Sequence, residues 1–460
     1  MNRQVRNTTW SLIQHIVGIL CGLILPREIL AHYGSEMNGV VHSISQFLSY
    51  TVLLEMGIGA VIPAALYAPL AAGDFRHVSA VLASGRKVFR RIGLACAGYV
   101  VLLAALFPSV SGIPAALPLV IVLGISRVAH YMAGQPEQYL IISDQKAYIV
   151  CSLAAVSQIV NTVVQVILIR SGSPLYLVKL AGTLIGFGQI GLILLYVKRH
   201  NDIDRKVQYT EEPIPQKWNG IAQHVAYFVL ENTDIILLTL FASFREVSVY
   251  SVYFMVISGI RSIFTSITYS IQPKLGELQV REDKGELCRF FASFERWIHV
   301  ATVLAFGCVA LFLVPFVRVY TEGVTDADYT RPLFALLLTL AYGFQSIRDP
   351  YDKLILASGH FKQTQKNYII AAALNFGISI VAVQFWGLEG VAVGTLAAMA
   401  YQAVYMALYD TRVLLKRPYK VLLVNVALDL VLIGLFVVIA NTVHLPIEEI
   451  FRWILRLIRR

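Results

Sequence analysis

Trp10-Ser-Leu-Ile-Gln-His15 returns later in the chain as Trp218-Asn-Gly-Ile-Ala-Gln-His224. Three further pairs follow in the same order. Pro136-x-x-Tyr139-Leu140-Ile141 returns as Pro350-x-x-Lys353-Leu354-Ile355, Lys146-Ala-Tyr148-Ile149 as Lys366-Asn-Tyr368-Ile369, and Gly182-Thr183-Leu184 as Gly394-Thr395-Leu396. The offsets are 208, 214, 220 and 212 residues. Four short matches in one order at nearly one spacing mean two related halves. In an apolar chain, repeated halves are the sequence mark of a transporter whose site lies between them.

The composition puts the chain in a membrane. It is 57% hydrophobic and 14% charged, with mean hydropathy +0.66. A hydrocarbon crossing takes about 20 mostly apolar residues. Polar backbone in lipid must be satisfied internally, and no alternating barrel pattern is present, so the crossings are helices. We read twelve core spans, at 10–31, 39–67, 89–108, 116–138, 146–169, 174–197, 219–241, 247–272, 294–317, 331–349, 366–386 and 389–410, and a thirteenth at 420–441. The first segment is too long for the apolar region of a secretion signal and has no small-residue cleavage site, so no cleavable signal is expected.

The net charge of +10 could point to nucleic acid, but its distribution does not. With the N-terminus in the cytoplasm, the inner loops and adjoining span ends hold 26 of the 38 Lys and Arg, and the outer ones hold 6. That is the positive-inside asymmetry, which sets orientation. The expected place is the cell (cytoplasmic or inner) membrane, multi-pass, with no nucleic-acid partner. The five cysteines form no Cys-x-x-Cys and have no His at metal-binding spacing, so neither a metal nor a disulfide role is assigned.

The fold class expected is an all-α polytopic membrane protein. Two six-helix lobes, 1–200 and 219–415, would be joined by a cytoplasmic linker at 201–218. Six crossings per half is an even number, so the lobes would be related by a pseudo-two-fold axis along the membrane normal. Residues 416–460 would add one or two C-terminal helices: span 13 and a basic amphipathic tail from Pro446, with Arg452, Arg456 and Arg459 on one face. Loops 68–88 and 273–293 occupy equivalent places and read as short amphipathic helices linking spans 2–3 and 8–9.

Ionisable groups within spans are expensive and usually functional. Arg127 lies near the middle of span 4, and its face continues through Tyr131, Gly134 and Gln138. Arg261 in span 8 begins a stripe through Thr265, Thr268 and Gln272. Span 5 carries Gln158, Asn161 and Gln165. One reading is a wet cavity lined by cations and neutral hydrogen-bonding groups. The other is internal pairing, for example Arg127 with Glu231. Arg27-Glu28 follows Pro26 near the outer end of span 1, and either pairs locally or reaches the outer part of the cavity. Glu55, Glu231 and Asp234 are the further acids within spans. With Glu28 they are the candidates for H⁺ or Na⁺ coupling, against the alternative of partnership with the arginines. Asp326-Ala-Asp328 imitates the metal-binding triplet of some glycosyltransferases, but its short loop could not form a catalytic domain. There is no phosphate-binding Gly-x-x-x-x-Gly-Lys loop. No enzymatic activity and no cofactor are expected.

Four stretches carry a resemblance: Pro26-Arg-Glu-Ile-Leu-Ala-His-Tyr-Gly34 with Ser35-Glu-Met-Asn-Gly39; Leu54-Glu-Met-Gly-Ile-Gly59 through Leu66-Tyr-Ala-Pro-Leu70; Tyr320-Thr-Glu-Gly-Val-Thr-Asp326; and Gly359-His-Phe-Lys-Gln-Thr-Gln-Lys-Asn-Tyr368 followed by Gly394-Thr395-Leu396. Over 1–415 the chain resembles the polysaccharide-biosynthesis (Wzx-like) flippases of the multidrug/oligosaccharidyl-lipid/polysaccharide exporter superfamily. The resemblance implies two six-helix lobes in a V around a central cavity open to one side at a time. It also implies undecaprenyl-pyrophosphate-linked sugar units as cargo, moved from the cytoplasmic to the outer leaflet for a capsule or O-antigen type of polymer. Partners would be the prenyl-pyrophosphate-linked oligosaccharide, membrane lipid and, downstream, a glycan polymerase. Arg27-Glu28 and Arg261 match the places where related lipid II flippases have cavity arginines. The alternative within the superfamily is a multidrug cation antiporter driven by H⁺ or Na⁺, whose cavity should be acidic or aromatic.

Overall fold

The computed structural model describes residues 3–55, 58–201, 203–204, 207, 221–281, 284–442, 448–449 and 451–452. Most of the expected linker, the start of the Trp218 repeat match (218–220) and most of the C-terminal tail therefore lie outside the described residues. Among the described residues all regular structure is helical, and the chain divides into two compact units, Met1–His224 and Val225–Arg460.

The first unit contains α1 (Arg3–Ser49), α2 (Ile58–Ala72), α3 (Phe75–Ser111), α4 (Ala116–Met132), α5 (Gln135–Ser143), α6 (Ala147–Arg170) and α7 (Leu175–His200). Helix α1 joins what the sequence reads as span 1 and the first part of span 2. The two are merged across Gly34, whose φ of 80° and ψ of 175° no other residue type adopts readily. Span 2 itself is interrupted: a 3-10 turn at Tyr50–Leu54 separates the end of α1 from α2. Span 4 is also broken. Gly134 at φ 100° starts α5 at an angle of 50° to α4, and Pro136 in its first turn needs no amide partner there. Helix α1 packs along α6, α3 along α4, and α7 against α6 and α4.

The second unit contains α8 (Ile221–Phe241), whose first turn precedes the boundary, α9 (Phe244–Val280), α10 (Lys284–Tyr320), α11 (Pro332–Ala357), α12 (Phe361–Tyr409) and α13 (Lys420–Thr442). Here the merged pair is the last one. Helix α12 carries spans 11 and 12 across Gly387, at φ 52° and ψ −121°, and ends in a π turn at Asp410–Leu414. Helix α11 runs unbroken through Pro350, the repeat partner of Pro136. It packs against α9, α10 and α12, and α13 packs along α10.

Eight described helices are long and apolar enough to cross a membrane, nine if the bent α4–α5 pair is one crossing. Two of the eight reach into more than one of the spans read from the sequence: that built on α1 holds span 1 and the first part of span 2, and that built on α12 holds spans 11 and 12. Spans 7 and 10 correspond to α8 and α11, and α11 carries Arg348, Asp349, Asp352 and Lys353 in its last third. Large apolar side chains such as Leu94, Val101, Ile167, Phe385 and Leu430 stand exposed along these helices. Water does not tolerate such continuous apolar belts, and lipid does. The chain is an all-α, multi-pass membrane protein.

The reading of the linking loops needs correction. The segments 75–88 and 284–293 are not separate amphipathic helices. They are the first turns of α3 and α10, because no Pro or loop-forming cluster separates them from the spans they enter. The tail residues that are described meet the far end of α10. Phe451 sits edge-on to Phe316 with ring centroids 5.4 Å apart, and Arg318 reaches Glu448 at 3.5 Å.

The repeat is visible in the packing. A Cβ on Gly182 would lie 2.7 Å from both Asn161 Oδ1 and Gln165 Nε2, and a Cβ on Gly394 would collide with Ser379 and lie 2.9 Å from the Asn375 carbonyl. Asn161 and Asn375, and Gln165 and Ser379, are each 214 residues apart. The same glycine in each half thus lets the same two helical segments close on a polar pair.

Candidate functional site

In the first unit the polar side chains gather at the two helix breaks. Arg127 on α4 donates from Nε to Thr51 Oγ1 in the 3-10 turn (3.1 Å), and its guanidinium lies 5.5 Å from the Tyr131 ring centroid. Tyr139 on α5 donates to Glu55 Oε1 at 2.8 Å, so the carboxylate at the end of the 3-10 turn is held by the helix beyond the other break. No carboxylate among the described residues pairs with Arg127. Tyr131 is buried and Gln138 half-buried, but the stripe that was to join them does not exist. The break at Gly134 bends α5 by 50° from α4, and helical periodicity cannot be carried across it.

In the second unit Arg261, midway along the predicted span 247–272, pairs with Glu231 Oε2 on α8 at 2.5 Å and lies 5.5 Å from the Tyr342 ring centroid on α11. Gln345 donates to the other oxygen of Glu231 at 2.7 Å. Glu231 therefore belongs to Arg261 and Gln345, not to Arg127. Arg261 retains 19% side-chain exposure. The repeat offsets of 208 to 220 residues bring Thr51 into register with Arg261, and Arg127 with the Ala341–Tyr342 turn. Each half thus places one guanidinium where its second and fourth spans meet, carried on the fourth in one half and on the second in the other.

One turn beyond Glu231, Asp234 is buried among neutral donors. Tyr250 donates to Oδ2 at 2.9 Å, and Thr395 contacts both carboxylate oxygens at 2.9 and 2.8 Å. Thr395 also contacts the Val391 carbonyl, and Asn375 donates to Thr395 Oγ1 while its own Oδ1 is buried without a hydrogen-bond donor. A buried carboxylate with no cation beside it is costly, and the surrounding hydroxyl, amide and carbonyl oxygens are the ligand types of hard cations.

The other candidates are placed as follows. Glu28 pairs with Arg170 (2.6 Å) at the end of α6, and Arg27 stands beside it, half-buried. Gln165 donates to Asn161 at 2.7 Å and accepts from Lys179 at 3.3 Å, so these two are engaged in α6–α7 packing. Gln158 is half-buried on α6, and its backbone carbonyl accepts from the Cys21 thiol. Thr265 is half-buried. Thr268 is fully buried, and its hydroxyl donates back to the Phe264 and Thr265 carbonyls of its own helix. Asp328 forms a turn, accepting from the Thr330 amide. No cluster of three or more His, Cys, Asp or Glu suited to a metal is found among the described residues.

Sequence reasoning missed the neutral partners, namely Thr51, Tyr139, Tyr250, Tyr342, Gln345, Asn375 and Ser379. Tyr139 and Thr395 were quoted as repeat residues but given no role. The repeat itself was the usable signal, since Asn375 and Ser379 sit at the offset of Asn161 and Gln165.

The fold is shared with known membrane proteins. The chain is similar to the lipid II flippase MurJ in its inward closed conformation (TM-score 0.69, 14% identity, covering 99% of this chain and 97% of that one). It is also similar to the inward-facing conformation of a multidrug resistance MATE family transporter of the MOP superfamily (TM-score 0.62, 14% identity, 90% and 98% covered), and to MATE in complex with MaL6 (TM-score 0.55, 14% identity, 90% and 97% covered). No family model and no curated protein matches the chain.

Proposed function

We propose that this chain is a flippase of the multidrug/oligosaccharidyl-lipid/polysaccharide exporter superfamily that moves prenyl-pyrophosphate-linked oligosaccharides from the cytoplasmic to the outer leaflet. One observation carries the reading: each half holds a guanidinium within a spanning segment at the equivalent helix pair. Pyrophosphate and sugars cannot enter hydrocarbon without replacement of their hydration. Guanidinium groups supply charge-assisted hydrogen bonds to phosphate oxygens, and Arg suits that geometry better than Lys. The prenyl chain stays in lipid while the headgroup moves by alternating access. An inside-negative potential assists export of an anion by about 2.3 kcal/mol per charge per 100 mV. Deleting the gene is expected to trap prenyl-pyrophosphate oligosaccharides on the inner leaflet, detected by mass spectrometry of extracted lipids. A deletion strain with an unchanged pool of these lipids and intact surface polymer removes the reading.

Asp234 is our candidate for the coupling ion, H⁺ or Na⁺. Its carboxylate, with Thr395, Asn375 and the Val391 carbonyl, offers a compact set of oxygens within one half. Asp234→Asn is expected to abolish the dependence of export on an imposed H⁺ or Na⁺ gradient while the protein still folds. An unaltered gradient dependence in that variant makes Asp234 a packing residue.

A further inference from the structure

A second polar centre lies in the second unit, away from Arg261 and Asp234, where α10, α11 and α13 meet. Asp429 on α13 lies 2.6 Å from His299 Nδ1 on α10, and His299 Nε2 lies 3.3 Å from the Tyr351 hydroxyl on α11. Tyr351 donates to Glu295 Oε1 at 2.6 Å, and Arg417, in the turn before α13, donates to the same oxygen at 2.6 Å. His299, Tyr351 and Glu295 are 3%, 0% and 0% exposed. The chain of contacts extends from the α12–α13 turn to a point about 14 Å along α13.

The direction of these bonds fixes where the hydrogens are. Tyr351 has one hydroxyl hydrogen, and it goes to Glu295. The Tyr351 oxygen can then only accept from His299, so Nε2 carries hydrogen. On the other side of the ring, an ionised Asp429 only accepts, so Nδ1 carries hydrogen as well, whereas a protonated Asp429 would donate to a bare Nδ1. A neutral imidazole cannot supply both. Charge balance leads to the same place. Arg417 pairs with Glu295, and among the described residues the ion-pair partner of Asp429 is His299, so a neutral His299 would leave an ionised Asp429 without one. Among the described residues, the charged groups of the neighbouring elements have other partners or are themselves acids. Helix α11 carries Arg348, paired with Asp349, and Asp352, paired with Lys353, and α12 ends in the buried Asp410, a further acid within electrostatic reach of Glu295 and Arg417. Helix α9 meets α10 through Phe264 and Phe306. The unpartnered second oxygen of Asp429, together with the buried amide of Asn425 one turn before it and the Thr302 hydroxyl, marks this seam as polar on both helices.

We propose that His299 and Asp429 form a proton-binding site that holds one proton as an imidazolium–carboxylate pair in the seam between α10 and α13. No bond between heavy atoms forms or breaks; the proton resides on the imidazole, and Tyr351 and Glu295 connect it toward the α12–α13 turn. The site is independent of which substrate the chain transports.

The test is ¹⁵N nuclear magnetic resonance of the full chain in lipid nanodiscs, labelled at histidine, in neutral buffer, with His299→Gln to assign the signal. The expected spectrum shows both His299 ring nitrogens protonated, and Asp429→Asn, still folded by thermal unfolding, shows one of them bare. A bare ring nitrogen on His299 in the wild type overturns the proposal, and this reading needs no variant at position 429. An Asp429→Asn spectrum identical to that of the wild type overturns it too.

Discussion

Glu295→Ala is expected to destabilise the protein by about 3–5 kcal/mol, the range for removing one partner of a buried ion pair. Glu295 is 0% exposed, and one of its oxygens accepts from both Arg417 and Tyr351. Truncation removes the closest carboxylate from the Arg417 guanidinium, 6% exposed against Phe291, leaves it a 3.5 Å contact to Thr411 Oγ1 and the nearby carboxyl of Asp410, and strips Tyr351 of its acceptor. The surroundings include Leu275, Leu287, Leu354 and Met406, which cannot solvate a charge. Glu295→Gln keeps an acceptor for Tyr351 and should cost less, near the 1–3 kcal/mol of an imperfectly satisfied buried group. Unfolding in detergent at neutral pH measures both. An alanine variant within about 0.5 kcal/mol of wild type would mean that water already reaches Arg417.

Arg261→Gln combined with Glu231→Gln is expected to fold and yet to reduce export at least tenfold. The pair of changes is needed because either alone leaves a half-buried charge without its 2.5 Å partner, which would confuse loss of fold with loss of function. Neutralising both keeps the hydrogen bond available to Gln345 and removes the cation. If Arg261 serves only to neutralise Glu231, the double variant exports normally. If it receives phosphate, export fails although the protein is stable. Arg127→Gln in the other half, where no described carboxylate balances the charge, should show the same defect without a compensating change.

Hydropathy and the repeat were enough to give a membrane-embedded, all-helical chain, and charge distribution gave an expected orientation. What they could not give is where a helix breaks while remaining apolar. Gly34 and Gly387 merge pairs of spans because a single positive φ redirects the axis without a polar loop. Gly134 does the reverse, splitting an apolar run that hydropathy reads as one crossing and dividing the stripe proposed for Arg127 and Gln138. Within the candidate sites, in-span charges were conspicuous by cost, so Arg127, Arg261, Glu231 and Asp234 were identified. Their partners are tyrosines, threonines and amides, which occur throughout the chain and carry no such signal. His299 and Asp429 lie 130 residues apart on helices whose contact no repeat predicts, since α13 has no counterpart in the first half.

The most direct measurement of the central claim places the purified chain in liposomes with a fluorescent undecaprenyl-pyrophosphate oligosaccharide and follows its arrival in the opposite leaflet. The wild type is expected to accelerate that movement, and the Arg261→Gln/Glu231→Gln double variant to leave it near the protein-free rate. Wild-type liposomes that move organic cations against a proton or sodium gradient and leave the glycolipid where it began would contradict the account.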